Sequence, residues 1–271
     1  MSGLLITAAC RGDTAVVRRL VEKGADIDQV DKIGRTALLT ASLIDHLEIA
    51  TVLLEQGADV NKHVNFSPSI LAMPNPANAM PRLTPMCVAI DRGQLAMAQL
   101  LSSYGAARAF TIGTGTGTIL GIICTAEELA NRLRHTNLAA WLITSRKWTT
   151  PLHHLTIIPA ARAHALLHKG ASILAAAAPG DPTPLSLALE LQAKGEAAEG
   201  SAAALVLKAA APWSRATHEL FPDAARAYAV RMLLVGHRLS RLPKYESVAQ
   251  AVFDLWVDHM MPHIVGPRES E

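Results

Sequence analysis

His164 and His168 stand four residues apart, a spacing that sets two imidazoles on one face of a helix, where they can share a zinc ion. His259 and His263 repeat the interval with Pro262 between them, and His153 and His154 are neighbours. Zinc asks for further ligands at close spacing, and the sequence has neither an HExxH pair nor a CxxC pair to supply them. The three cysteines, Cys10, Cys87 and Cys124, are odd in number and widely spaced, which argues against a disulfide framework and fits a reducing compartment. A cysteine nucleophile needs a positioned base. Cys87 lies between Met86 and Val88 and Cys124 follows Ile122 and Ile123, so both read as core, with Cys10 the more exposed. Glu127–Glu128 and Asp26/Asp28 read as helix-start and turn carboxylates rather than an acid–base couple. Glycines and threonines alternate from Thr111 to Thr118. The run lacks the GxGxxG interval and a Gly-Lys-Ser/Thr ending, so it reads as an extended hairpin rather than a phosphate cradle. No catalytic residue, metal or cofactor is expected.

The elements that carry these residues recur. Gly24-Ala25-Asp26-Ile27 returns as Gly57-Ala58-Asp59-Val60, 33 residues on, and Ala8 and Leu20 return as Ala41 and Leu53. A period of this size marks stacked helical units, none of which can bury its own apolar face alone. In the second unit, Thr36 is placed to cap a first helix. Apolar residues at 38, 41, 49, 50, 53 and 54 make two short amphipathic faces, and Gly57 is placed to end the second helix in a left-handed conformation.

The segment from Asp31 to Asn61 resembles the ankyrin repeat, matching the family pattern at Asp31, Gly34, Thr36, Leu38, Ala41, His46, Ile49, Leu53, Leu54, Gly57, Ala58, Asp59 and Asn61. It departs at Ala37, where the family prefers proline, and at Asp45, where it prefers glycine. A third unit runs from Thr84-Pro85-Met86 to Gly105-Ala106, a fourth from Thr125 through His135 to Leu142, a fifth from Thr150-Pro151-Leu152-His153 to Ile173, and a sixth opens at Thr183-Pro184-Leu185. The resemblance implies an all-α solenoid of helix-turn-helix pairs joined by hairpin loops. It also assigns His46 and His153 to hydrogen bonds within the turns. The expected division is an ankyrin domain over 1–212 with about six repeats: 3–33, 34–66 (with an insertion over 62–82), 83–110, 111–147, 148–180 and 181–211. A helical cap over 213–265 and a frayed tail over 266–271 follow.

Within the cap, a helix over about 223–241 is expected to turn Ala225, Tyr228, Ala229, Met232, Leu233 and Leu239 to one face. A second, from about Glu246 to Met261, presents Val248, Val252, Leu255, Trp256 and Met260 and ends at Pro262. The insertion holds Pro68, Pro74, Pro76 and Pro81 and cannot be one helix. It reads as an enlarged loop, with Phe66, Ile70 and Leu71 as contact residues.

Composition points the same way. Half of the 271 residues are hydrophobic, only 4% are aromatic, and the net charge is +2. That predicts close-packed thin helices and no bulk attraction to nucleic acid or membrane. No apolar run reaches 18 residues, so no membrane insertion is expected, and the chain reads as cytoplasmic, with the nucleus as the other compartment. The resemblance implies a non-enzymatic module that binds another protein through hairpin tips and the concave face of the first helices. Carried onto this sequence, those positions are Cys10 and Arg11; Val30, Lys32, Ile33, Arg35, Leu43 and Ile44; and Asp91 and Arg92. Two alternatives stand beside it: a permanent structural subunit of a larger complex, and a substrate adaptor of a ubiquitin ligase acting through the helical tail.

Overall fold

Residues 3–32, 34–62, 83–112 and 122–265 are described by a computed structural model, in which the chain divides into two compact units, Met1–Arg146 and Lys147–Glu271. The expectations for 63–82, and for Ile33 and the glycine–threonine residues 113–121, lie outside the described residues.

The first unit is built from helix pairs: α1 (Leu4–Arg11) with α2 (Thr14–Glu22), α3 (Ala37–Leu43) with α4 (Leu47–Glu55), α5 (Pro85–Asp91) with α6 (Leu95–Ser103), and α7 (Ala126–Arg132) with α8 (Thr136–Thr144). The first helices pack in chain order, α1 on α3, α3 on α5 and α5 on α7. Each is short because each is stopped in the same way. The amides of Asp13, His46, Gln94 and His135 donate to the carbonyls of Ala8, Ala41, Ala89 and Ala130, across a left-handed residue at Gly12, Asp45, Gly93 and Arg134. That is the closure of a Schellman turn. The starts are fixed as well: Thr36, Thr84 and Thr125 accept from the amides of Leu39, Cys87 and Glu128 at 3.1–3.2 Å, and Glu128 completes a capping box. Gly57, at φ 91°, follows α4, with the amide of Ala58 donating to Leu53.

At two of the four left-handed positions a neighbour demands glycine. A Cβ on Gly12 would lie 2.6 Å from Nε2 of His46, and one on Gly93 would lie 2.7 Å from Nδ1 of His135. The turn histidine of one pair thus rests on the turn glycine of the pair before it.

Between α6 and α7 the chain forms an antiparallel ladder, β1 (Ala109–Ile112) with β2 (Ile122–Thr125), Ala109 facing Thr125. Arg108 stands at its base. Its guanidinium donates to Ser102 Oγ at 2.8 Å, Ser145 Oγ at 3.0 Å and the Leu142 carbonyl at 3.2 Å, and stacks over Trp141. One cation therefore ties the end of α6 to the end of α8.

The second unit opens on a 3-10 turn, Pro151–His153, where the resemblance implies a first helix. Thr156, Ile157 and Ile158 are β-branched and Pro159 follows them, and the residue before a proline is pushed out of the helical region. Helices α9 (Ala160–His168), α10 (Pro184–Ala193) and α11 (Ala202–Ala210) enclose a core of Leu152, Leu155, Ala163, Leu167, Ala188 and Val206. The last part of this unit has a separate core of Trp213, Phe221, Ala229, Val257, Met261 and Val265. There α12 (Asp223–Ser240) crosses a segment made of a 3-10 turn (Pro243–Val248), α13 (Ala249–Leu255), a π turn (Trp256–Met260) and α14 (Met261–Ile264).

Three expectations for this region are corrected. Tyr228 and Leu239 are exposed rather than buried on α12, and so are Val248, Leu255 and Met260 on the following segment. The second segment is not one α-helix. The wider π turn inserts an extra residue and hands the buried face to Val257 and Met261. Pro262 does not end the helix but lies in the first turn of α14, where its missing N–H costs nothing.

Candidate functional site

The shared ending of the first helices also aligns what they display. The residue just before each left-handed position is Arg11, Ile44, Arg92 and Leu133 in turn, and all four are exposed. With helices spaced at 8–10 Å, the row spans roughly 30 Å. Behind it, one residue earlier, stand Cys10, Leu43, Asp91 and Arg132, with Leu43 and Asp91 half-buried and the other two exposed. The exposure is enforced: each helix is only about two turns long, and its apolar residues are already committed to the neighbouring helices. The row alternates cation and hydrocarbon, a surface that can contact acidic and apolar groups.

Of the positions taken from the resemblance, Cys10, Arg11, Leu43, Ile44, Asp91 and Arg92 come together on this face of the first unit. Val30 and Lys32 are exposed in the loop before α3. Arg35 is held there by Asp31, whose carboxylate accepts from its Nε and its backbone amide, both at 2.9 Å. Ile33, Phe66, Ile70 and Leu71 lie outside the described residues. The sequence reading missed Leu133 and Arg132. Counting back from His135, as from His46, would have found them.

The hairpin carboxylates are structural. Asp26 accepts from the amide of Asp28, and Asp28 accepts from the amide of Asp59 in the next pair at 3.0 Å. Asn61 clasps the turn after α6, accepting from Ala107 at 2.7 Å and donating to the Gly105 carbonyl at 3.2 Å.

Several of the groups that suggested chemistry have structural surroundings. Burial pushes the Cys87 thiol up to about 11, and burial also raises Cys124, so both are protonated at neutral pH and are poor nucleophiles. His153 lies between the Thr150 backbone and the Pro182 carbonyl, with Nε2 3.1 Å from the latter, and burial lowers its pKa. His164 and His168 stack with centroids 6.3 Å apart, and His168 Nε2 faces Asp223 at 3.6 Å. Among the described residues no group of three His, Cys, Asp or Glu is placed to hold a metal ion. A cleft of about 130 Å³ lies in the second unit, lined by Trp148, His153, Leu155, Leu187, Glu190 and Lys194 among others. Ordinary ligand sites are larger, roughly 300–1,000 Å³. No helix of the described residues is long and apolar enough to cross a membrane.

Comparison with known proteins agrees with this geometry. Residues 3–64 match the family model of ankyrin repeats in three copies. Over 102 residues, 37% of this chain, it is 33% identical to human ankyrin repeat and KH domain-containing protein 1, of which the match spans 4%. It is 47% identical over 57 residues, 21% of this chain, to mouse ankyrin repeat and SAM domain-containing protein 6, of which 6% is spanned. It is 33% identical over 72 residues, 26% of this chain, to the Escherichia coli (strain K12) ankyrin repeat protein YahD, of which 36% is spanned. The chain thus spans only a small part of the first two relatives and about a third of the last. The resemblance to the ankyrin repeat and the all-α fold both hold.

Proposed function

We propose that this ankyrin-repeat chain is a non-enzymatic binding module that holds a partner protein against the first helices of its first unit. The observation that carries the reading is the exposed row Arg11, Ile44, Arg92 and Leu133, with Cys10, Leu43, Asp91 and Arg132 behind it. Ankyrin repeats are in general protein-interaction modules, and arginine is enriched at interfaces whose buried centre is more apolar than the surface. Val30 and Lys32 extend the surface to the hairpin loop, and Ile33, Phe66, Ile70 and Leu71 belong to the same proposal. The division that goes with it is six repeats over 1–212 followed by a helical cap over 213–265. All three cysteines are free, which suits a cytoplasmic site of action.

The test is quantitative affinity purification of the full chain from its source cells, beside a variant carrying Arg11→Glu, Ile44→Ser and Arg92→Glu. Partners that lose at least about tenfold in recovery, a change of ~1.4 kcal/mol, support the reading. An unchanged set of partners, with the circular dichroism melt also unchanged, overturns it.

A further inference from the structure

Helix α12 carries a second surface, unlike the row on the first unit and independent of it. From Ala224 to Tyr245 the chain contains Arg226, Arg231, Arg238, Arg241 and Lys244 and no acidic residue. Arg226 is taken up at the start of the helix by Asp223 and Glu219. Among the described residues the other four make no salt bridge. Arg231 lies over the Tyr228 ring and Lys244 over that of Tyr245.

Helical geometry sorts what is exposed. Ala225, Ala229, Met232, Leu233 and Gly236 face the tail core. Arg231 and Arg238, seven residues apart, run along the opposite crest. One flank of that crest carries Val230 and Leu234, 47% and 55% exposed, and runs on to the exposed Arg241 at the end of the helix. The other carries Tyr228, Val235 and Leu239, each 39% exposed. The outer surface of an 18-residue helix, about 27 Å long, is therefore a cationic ridge between two apolar rows.

The order of these rows selects the occupant. A helix that lies on a membrane puts its hydrocarbon on the crest and its cations at the edges, where the headgroups are. Here the arrangement is inverted, and laying this face on a bilayer would drive Arg231 and Arg238 into the acyl region. A second copy of the chain would set arginine against arginine. A nucleic acid would meet the arginines but leave both apolar rows against its phosphates. We infer that α12 docks an amphipathic helix of another protein whose exposed face carries an acidic row between two apolar rows. The carboxylates would pair with Arg231 and Arg238 in the bidentate manner guanidinium allows, while the flanking side chains close over Val230, Leu234, Val235 and Leu239 and exclude water.

The probe is a synthetic, fluorescein-labelled helical peptide with glutamates in one row and leucines on both sides of it. Its binding to the full chain is followed by fluorescence anisotropy, beside vesicles of phosphatidylcholine and phosphatidylserine and a DNA duplex. Binding is expected to weaken with added salt. It should fall by about tenfold or more in Arg231→Glu/Arg238→Glu, and again in Leu234→Ser/Val235→Ser. The milder pair Arg231→Gln/Arg238→Gln should act in the same direction and serves if charge reversal disturbs the fold. The inference is overturned if the acidic peptide fails to bind, if it binds the variants and the parent alike, or if vesicles or DNA bind this face more tightly than the peptide does.

Discussion

The four helix pairs of the first unit and the tail over 213–265 solve the same problem, covering short apolar helices, in different ways. In the pairs the burial is serial. Each first helix covers its predecessor, the cores are mainly Ala, Leu, Ile, Val and Met, and the hydrocarbon left outside is spread singly over positions such as Leu4, Val16, Val30, Ile44, Leu47, Leu133 and Ile143. In the tail the core is built from Trp213 and Phe221, and two crossing segments leave rows of valine and leucine in water. A repeated unit inherits a neighbour on each side, so its apolar pattern is answered by the next copy. A segment without copies must close on itself, and what it leaves open is available to something else.

The sharpest break in the comparison lies where the tail crosses itself. Gly236 lets α12 approach the π turn so closely that a Cβ there would stand 2.2 Å from Cδ1 of Trp256. The indole cannot retreat freely, because its Nε1 donates to the Met232 carbonyl at 3.0 Å. Gly236→Ala, a change that favours an isolated helix, is expected here to destabilise the tail by about 3 kcal/mol. Hydrogen exchange resolved by segment should show the loss over 223–265 and leave α1–α8 protected. Uniform loss across both units would mean that the two regions do not differ in the way described.

Next in size is Arg108→Met. It removes three hydrogen bonds that tie α6 to α8 and leaves Ser102, Ser145 and the Leu142 carbonyl to find other partners. A loss of about 2 kcal/mol is expected in urea denaturation of the first unit. Arg108→Lys should restore little, because one ammonium cannot span three acceptors in different directions.

A smaller effect is expected at the caps. Thr36 is buried and accepts from the amide of Leu39, so Thr36→Ala should cost about 1 kcal/mol and Thr36→Ser nearly nothing. The same pair of changes at Thr125, where Glu128 caps in return, should follow the same order.

Most of the first unit was legible in the sequence because its devices are local. A threonine before a helix, an alanine five residues before a turn amide, and a glycine at a left-handed position each act within one turn, so each leaves a mark at fixed spacing. Three of the four residues of the exposed row were legible. Arg11, Ile44 and Arg92 followed from the family pattern, while Leu133 was missed because the fourth unit blurs that pattern. What the sequence hid was non-local. The π turn at Trp256–Met260 begins at the residue that packs against Gly236, 20 residues away, and no periodicity in 246–261 records it. The 3-10 turn at Pro151–His153 was hidden differently, since Thr-Pro-Leu-His announces a helix that Thr156, Ile157, Ile158 and Pro159 then prevent.

The smallest predicted effect tests the finest of those local devices. Left-handed residues close all four first helices, but only Gly12 and Gly93 are glycines, and those are the two whose next pair begins its second helix at a histidine, His46 and His135. Asp45, at φ 58°, precedes a pair that has Gln94 in that position, so no ring forbids its Cβ, and what remains is backbone strain alone. Asp45→Gly should relieve that strain, offset in part by the greater freedom of glycine in the unfolded chain, for a net gain of about 0.5 kcal/mol. Gly93→Ala should lose more than the strain alone, about 2 kcal/mol, because the His135 ring must also move. If the two changes prove equal and opposite in urea midpoints, the glycines serve backbone geometry only. If Gly93→Ala costs clearly more, and Gly93→Ala with His135→Gln costs less than Gly93→Ala alone, the histidine of each pair is what selects the glycine of the pair before it.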